Sequence, residues 1–456
     1  MLFRKNVFTA ALALMLAVVA LVPAGAQDAK IQIPVWIAFT DARLDWAREK
    51  AAAFNEQFPQ YEVVVEGYAD YESLFSAAAL AYEQGTQPAI VQYFEAATQD
   101  ARDAALNGVP QFKSVASAFG ERTEINGLPV DFDVFVEPVR NYYTLDGEFT
   151  SFPWNTSSAI MFSNQSILDA AGITEIPTTW QGIEEACAAI MALENAPANC
   201  ITWPNHGWFF EQSVAQQGAD LVNNGNGRDA RATETFINSE AAVAYVSWWK
   251  EMQDAGYYIY TGAQRDWGGT YNAFVAQQVA FLVYSSSDTT VLTNDGAEAG
   301  FDVVASFMPH NGEVEYVGNL IGGASLWLSN GLTTEVEDGA LTFLLWFNNA
   351  ENAADWHKFT GYVPVTQPAI DLLEAEGWYA ESPNSLVASA QLAAATPTSA
   401  TAGAIVGAFP AIRNHVTTAI EDVLVNGTDV QTALDNAKAL ADETLAEYNL
   451  LNAPEN

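Results

Sequence analysis

The side chains able to do chemistry in this chain are few once its acidic excess is set aside. Arg413 is the only Lys or Arg between Lys358 and Lys438. Its guanidinium offers a planar fork of donors suited to phosphate or carboxylate. Ser285, Ser286 and Ser287 end an apolar run from Val279 to Tyr284 and present hydroxyl donors at one place. Four histidines, His206, His310, His357 and His415, are scattered and form no ligand pair with a cysteine, so neither a metal nor a cofactor is expected. The 56 Asp and Glu residues make carboxylate pairs common by chance. A glycosidase acid and nucleophile therefore cannot be picked out from them. No nucleophile elbow, phosphate-cradling P-loop or paired-histidine metal motif occurs, and the expected set of catalytic residues is empty.

The compartment follows from the first residues. Arg4 and Lys5 precede an apolar run from Val7 to Pro23 that ends in Ala24, Gly25 and Ala26, the pattern of a secretory signal peptide over residues 1–26. The run falls short of the roughly 20 apolar residues a bilayer requires. No cysteine follows Ala26 to take an acyl anchor, so a secreted, soluble protein, periplasmic or extracellular, is expected. There oxidation is the default, and Cys187 and Cys200, the only two cysteines, are expected to form a disulfide. Loss of Arg4 and Lys5 takes the net charge from −39 to −41. A chain this acidic lacks the basic face that nucleic acid requires, and its charge reads as a solvated surface.

The elements that must position these residues begin with Ile31 to Ile37, a buried strand, and a helix capped near Thr40 and Asp41 with Leu44, Ala47, Ala51 and Phe54 on one face. A strand from Tyr61 to Glu66, a helix from Tyr71 to Gln84 stopped by Gly85, and a strand from Ala89 to Phe94 follow. Alternating strands and helices imply an α/β fold with a parallel sheet. Ligands of such sheets lie at the carboxyl ends of the strands, here Ala38 to Asp41, Tyr68 to Tyr71 and Phe94 to Ala97. A second unit starts near Trp154, with a strand at Ala159 to Phe162 and helices over 179–193 and 239–255. The last third reads as helices over 336–348, 353–359 and 429–451, with the Ala-, Ser- and Thr-rich stretch 386–403 expected as a loop. The 430 residues left after cleavage exceed what one core serves, so two compact units are expected.

Four strings carry a family resemblance: 319–327 (Asn-Leu-Ile-Gly-Gly-Ala-Ser-Leu-Trp), 351–362 (Glu-Asn-Ala-Ala-Asp-Trp-His-Lys-Phe-Thr-Gly-Tyr), 152–158 (Phe-Pro-Trp-Asn-Thr-Ser-Ser) and 409–413 (Phe-Pro-Ala-Ile-Arg). In their order and spacing the chain resembles the extracellular solute-binding proteins of ABC importers, the family that includes the maltose-binding and the glycerol-phosphate-binding proteins. The resemblance implies a two-lobed periplasmic-binding-protein fold, α/β in class, with discontinuous lobes joined by a hinge. Residues 27–145 and 295–345 are expected in lobe one and 150–290 and 346–456 in lobe two, with crossings near 142–153, 288–298 and 340–350.

The resemblance also implies a binding site without catalysis. It places the cleft tyrosine at Tyr71, the hydroxyl-binding glutamate at Glu95, serines at Ser157 and Ser285, a glycine whose amide approaches phosphate at Gly323, and further contacts at Tyr362 and Arg413. A carboxylate accepts from vicinal hydroxyls, while Arg, Ser, Tyr and a bare glycine N–H donate to phosphate oxygens. The implied ligand is sn-glycerol 3-phosphate or a glycerophosphodiester such as glycerophosphocholine, whose quaternary amine a tryptophan in the loosely matched stretch 203–208 could hold. The implied partner is a membrane permease, and a monomer is expected. The competing ligand class is a neutral sugar, since 13 tryptophans offer stacking faces; a secreted glycosidase is the alternative from another class.

Overall fold

The computed structural model describes residues 29–452; the expected signal segment, residues 1–26, lies outside the described residues. Strands β1 (Ile31–Ile37), β2 (Tyr61–Gly67) and β3 (Ile90–Phe94) alternate with helices α1 (Ala42–Gln57) and α2 (Tyr71–Gln84). β1 lies between β2 and β3 and runs parallel to both, with Ile31 opposite Tyr61 and Val35 opposite Ile90. α1 starts where the Asp41 carboxylate accepts the Arg43 N–H, and it buries Leu44, Ala47, Ala51 and Phe54 as its spacing predicts. α2 starts at Asp70 and stops at Gly85, whose φ of +68° closes the last turn. Two strands distant in sequence extend this sheet in antiparallel sense: Gly322–Ser329 pairs with β3, and Phe152–Ser157 pairs with Gly322–Ser329.

A second sheet has the order Ile201–Thr202, Phe281–Ser285, Ala159–Asn164, Val303–Phe307. It is covered by helices that include Trp180–Met191, Gly207–Gln216, Glu240–Asp254 and Phe409–Asn426. The aromatic face of Glu240–Asp254 is core: Tyr245, Val246, Trp249 and Met252 are all buried. Cys187 and Cys200 form a disulfide that ties the Trp180–Met191 helix to the start of the first strand. In the chain-entropy picture such a loop contributes about 3 kcal/mol.

Strand pairing departs from the expected lobe boundaries at two places. Phe152–Ser157 belongs to the first sheet although 150–290 was assigned to lobe two, and Ser158 alone separates it from Ala159–Asn164 in the second sheet. Val303–Phe307 belongs to the second sheet although 295–345 was assigned to lobe one, so that crossing falls between Phe307 and Gly322. Both strands are two-sided in environment and carry serines, so alternation does not mark their sheet.

The 386–403 stretch is also not a loop. It contains the helices Val387–Ala393 and Ser399–Ala402. Gln391, fully buried, donates to Ser158 Oγ and Ala159 O and accepts from Met308 N–H, which pins both crossings from one side chain. Beside the crossings, the Trp154 ring lies 5.1 Å from Trp356 and 5.2 Å from Phe347, and Trp356 stacks on Tyr362 at 5.6 Å.

Candidate ligand cleft between the two sheets

The carboxyl ends of β1 and β3 and the first turn of α2 face the end of Phe281–Ser285 and the start of Phe409–Asn426 across a cavity of about 670 Å³. That size lies in the ordinary range for a small-molecule site. All seven residues singled out from sequence line it: Tyr71, Glu95, Ser157, Ser285, Gly323, Tyr362 and Arg413. Each is delivered by a local feature. Glu95 follows the last residue of β3, Tyr71 opens α2, and Ser285 closes its strand. Gly323 has φ +101° and sits opposite Thr156, where a Cβ would fall 1.8 Å from the Asn155 carbonyl oxygen. Only glycine fits there. Tyr362 is set by Gly361, whose φ of +107° ends the Ala350–Thr360 helix and where a Cβ would meet the Ser286 carbonyl at 2.5 Å.

Arg413 is the electrostatic centre. Its Nη2 donates to Glu95 Oε1 at 2.7 Å and to Glu211 Oε2 at 2.8 Å, and its Nε donates to Glu211 Oε1 at 2.6 Å. All three side chains are only 7 % exposed. Burial opposes the arginine's charge, but Glu211 and Glu95 more than reverse this and raise its pKa. Burial also raises the Glu211 carboxyl, against the pull of Arg413. Glu95 extends from the first sheet and Arg413 from the second lobe's helix, so this ion pair spans the cleft. The guanidinium also lies 4.9 Å from the Phe409 ring centroid and 5.8 Å from that of Phe94, which stacks on Tyr71. Among the described residues, Arg413 Nη1 makes no hydrogen bond, which leaves that arm of the fork for a ligand.

Several lining residues escaped the sequence reading. Arg43 is forked onto Asp41 and lies 4.2 Å over the Phe39 ring, near Tyr362 and Asp288. Burial raises the Asp288 carboxyl, partly offset by Arg43. His206 is held neutral, chiefly by burial and then by Arg413 and Arg265. Its Nδ1 accepts the Trp208 N–H at 3.1 Å, so Nε2 carries the proton and is a donor. Trp267 completes an aromatic wall with Tyr284 at 4.9 Å and His206 at 5.3 Å. Arg43 had a legible signal, two residues past Asp41 on the predicted strand-end edge. Glu211 had none, because it lies in a fully buried helix whose apolar run hides its register.

The model of a bacterial extracellular solute-binding protein matches residues 49–386. The chain is 29% identical over 431 residues to the sn-glycerol-3-phosphate-binding periplasmic protein UgpB of Escherichia coli K12, covering 93% of this chain and 94% of that protein. Among solved structures it is similar to UgpB from Mycobacterium tuberculosis in complex with glycerophosphocholine, with TM-score 0.74 and 19% identity over 92% of this chain and 99% of that one. It is comparably similar to the cyclic alpha-maltosyl-1,6-maltose binding protein from Arthrobacter globiformis, with TM-score 0.73 and 17% identity over 92% and 100%. No helix of the described residues is long and apolar enough to cross a membrane. The chain belongs to the bacterial extracellular solute-binding proteins, the solute-capturing components of ABC importers.

Proposed function

We propose that this protein captures a glycerol-phosphoryl solute in the cleft and presents it to a membrane permease, without transforming it. The observation that carries the reading is the convergence of Tyr71, Glu95, Ser157, Ser285, Gly323, Tyr362 and Arg413, from seven separate segments, on one cavity. Glu95 accepts from the glycerol hydroxyls. Arg413 Nη1, the serine hydroxyls and the tyrosine hydroxyls donate to phosphoryl oxygens. None of these groups is asked to be a nucleophile or to move a proton.

The charge balance favours a phosphodiester over a phosphate monoester. Every arginine at the cavity wall already has a carboxylate partner: Arg43 with Asp41, Arg265 with Glu72, and Arg413 with Glu95 and Glu211. A dianion would meet no unneutralised cation, whereas a monoanion carrying a quaternary amine could place its positive end near Asp288 and Trp267. A neutral sugar is the second reading, favoured by the same charge balance and by the aromatic wall of Trp208, Trp267 and Tyr71. Isothermal titration of the mature protein with glycerophosphocholine, glycerol 3-phosphate and maltose in one buffer tests the proposal. The order of affinity expected is glycerophosphocholine, then glycerol 3-phosphate, with no heat from maltose. Binding of maltose alone would leave the fold and remove the phosphoryl assignment.

A further inference from the structure

Outside the cleft the two lobes meet again at a polar seam. Helix α3 (Thr98–Asp103) follows β3 and Glu95, and its side chains Asp100 and Asp103 point onto the second lobe. Asp103 is held by Arg231 through both carboxylate oxygens, at 2.7 and 2.8 Å, and accepts the Tyr448 hydroxyl at 2.9 Å. Asp100 Oδ1 accepts the Ala408 N–H at 2.9 Å. Ala408 stands immediately before the Phe409–Asn426 helix with φ +53°, a left-handed conformation that alanine disfavours, and it has no side chain with which to cap that helix. The side-chain acceptor for the N–H at this helix start therefore comes from the other lobe. Next to it Gly407 lies against Tyr448, where a Cβ would fall 2.1 Å from the ring. The same helix carries Arg413 into the cleft on its following turn.

We infer that this seam is a lobe-to-lobe contact that fixes the first turn of the Phe409–Asn426 helix and with it Arg413, and that Asp100 is its positioning residue. The contact is also a proton-linked one. The groups that face Asp100 are Asp103 on its own helix, Tyr448 from the C-terminal helix, Tyr93 from β3, the Ala408 N–H, and Arg231 by way of Asp103. Burial pushes the Asp100 carboxyl up to about 6; the Ala408 and Tyr448 donors lower it and the Asp103 charge raises it. A carboxyl whose pKa is higher in the closed seam than in water binds its proton more tightly there. Closure is therefore favoured as pH falls through that value, and disfavoured above it.

The affinity arm of the test rests on the proposed ligand; the scattering arm does not. Glycerophosphocholine has no group titrating between pH 5.5 and 7.5, so its affinity for the wild-type protein should rise about fourfold between pH 7.5 and 5.5 as Asp100 takes up its proton. Asp100→Asn keeps an acceptor for the Ala408 N–H and removes the buried charge, so its affinity at pH 7.5 should exceed wild type and stay flat with pH. Arg231→Ala leaves Asp103 unpaired beside Asp100 and should weaken binding. Opposite signs from the two variants are not what general loss of packing produces. Small-angle scattering of the ligand-free full chains should show wild type becoming more compact at pH 5.5, Asp100→Asn compact at both pH values, and Arg231→Ala extended. If wild type binds no glycerophosphocholine, the ligand reading fails while scattering still decides the seam. Identical scattering and identical pH profiles in all three proteins would overturn the inference.

Discussion

Replacing Arg413 by alanine tests the electrostatic account most severely, because the change leaves two carboxylates facing each other in a closed space. Three charge-assisted hydrogen bonds, at 2.6, 2.7 and 2.8 Å, are lost at once. Glu95 and Glu211, each 7 % exposed with Arg413 in place, then have no cation between them. Breaking a buried pair by removing one partner costs about 3–5 kcal/mol, and truncating a charged contact to a ligand costs on the order of 2–4 kcal/mol of affinity. The stability loss carries a pH signature. The folded-state pKa of Glu211 is already raised by burial with Arg413 present, and without the arginine it moves further up. The folded state then binds more protons than the unfolded chain between the ordinary carboxyl value and that raised one, so the variant's deficit is largest at neutral pH and shrinks as pH falls through the raised pKa. Denaturant unfolding of wild type and variant at pH 7 and pH 5, with ligand titration at both, measures each part. A variant within about 0.5 kcal/mol of wild type at pH 7, the ordinary scatter of a surface substitution, would refute the buried network as described.

Cys187→Ser with Cys200→Ser should lower stability by about 3 kcal/mol and leave ligand affinity unchanged, read by unfolding midpoint and calorimetry, since the disulfide lies away from the cleft-lining residues. Gly323→Ala should abolish binding and lower the yield of folded protein, because its Cβ would fall 1.8 Å from a backbone oxygen that cannot move without breaking the strand pairing. Trp267→Ala should weaken glycerophosphocholine by about 0.5–2 kcal/mol and leave glycerol 3-phosphate nearly unaffected; equal losses would remove the cation–π role. Gln391→Ala leaves Ser158, Ala159 and Met308 without their shared partner at the crossings. It should cost about 1–3 kcal/mol, seen by thermal unfolding.

Local rules made the first sheet legible. The cap at Asp41, the stop at Gly85 and the apolar face of α1 all agree with the structure, so the parallel strands and their candidate ligand edge follow from local sequence patterns. Long-range pairing was not legible in that way. Phe152–Ser157 and Val303–Phe307 are each placed in a sheet by partners more than 100 residues away, and neither leaves a mark in local alternation. The Phe409–Asn426 helix was not legible because Ala408 offers no capping side chain; its N–H is instead accepted by Asp100, from the other lobe. Ser157, Gly323, Tyr362 and Arg413 lie in the matched strings, Tyr71, Glu95 and Ser285 follow from the same family resemblance, and the cavity brings all seven together. Glu211, which forks onto Arg413, carries no such mark.

A crystal structure of the mature protein with glycerophosphocholine is the most direct test of the proposed function. The account predicts the phosphoryl oxygens within hydrogen-bond reach of Arg413 Nη1 and Ser285, the glycerol hydroxyls on Glu95, and the quaternary amine against Trp267. A ligand bound outside this cavity, or inside it with Arg413 and Gly323 untouched, would contradict it.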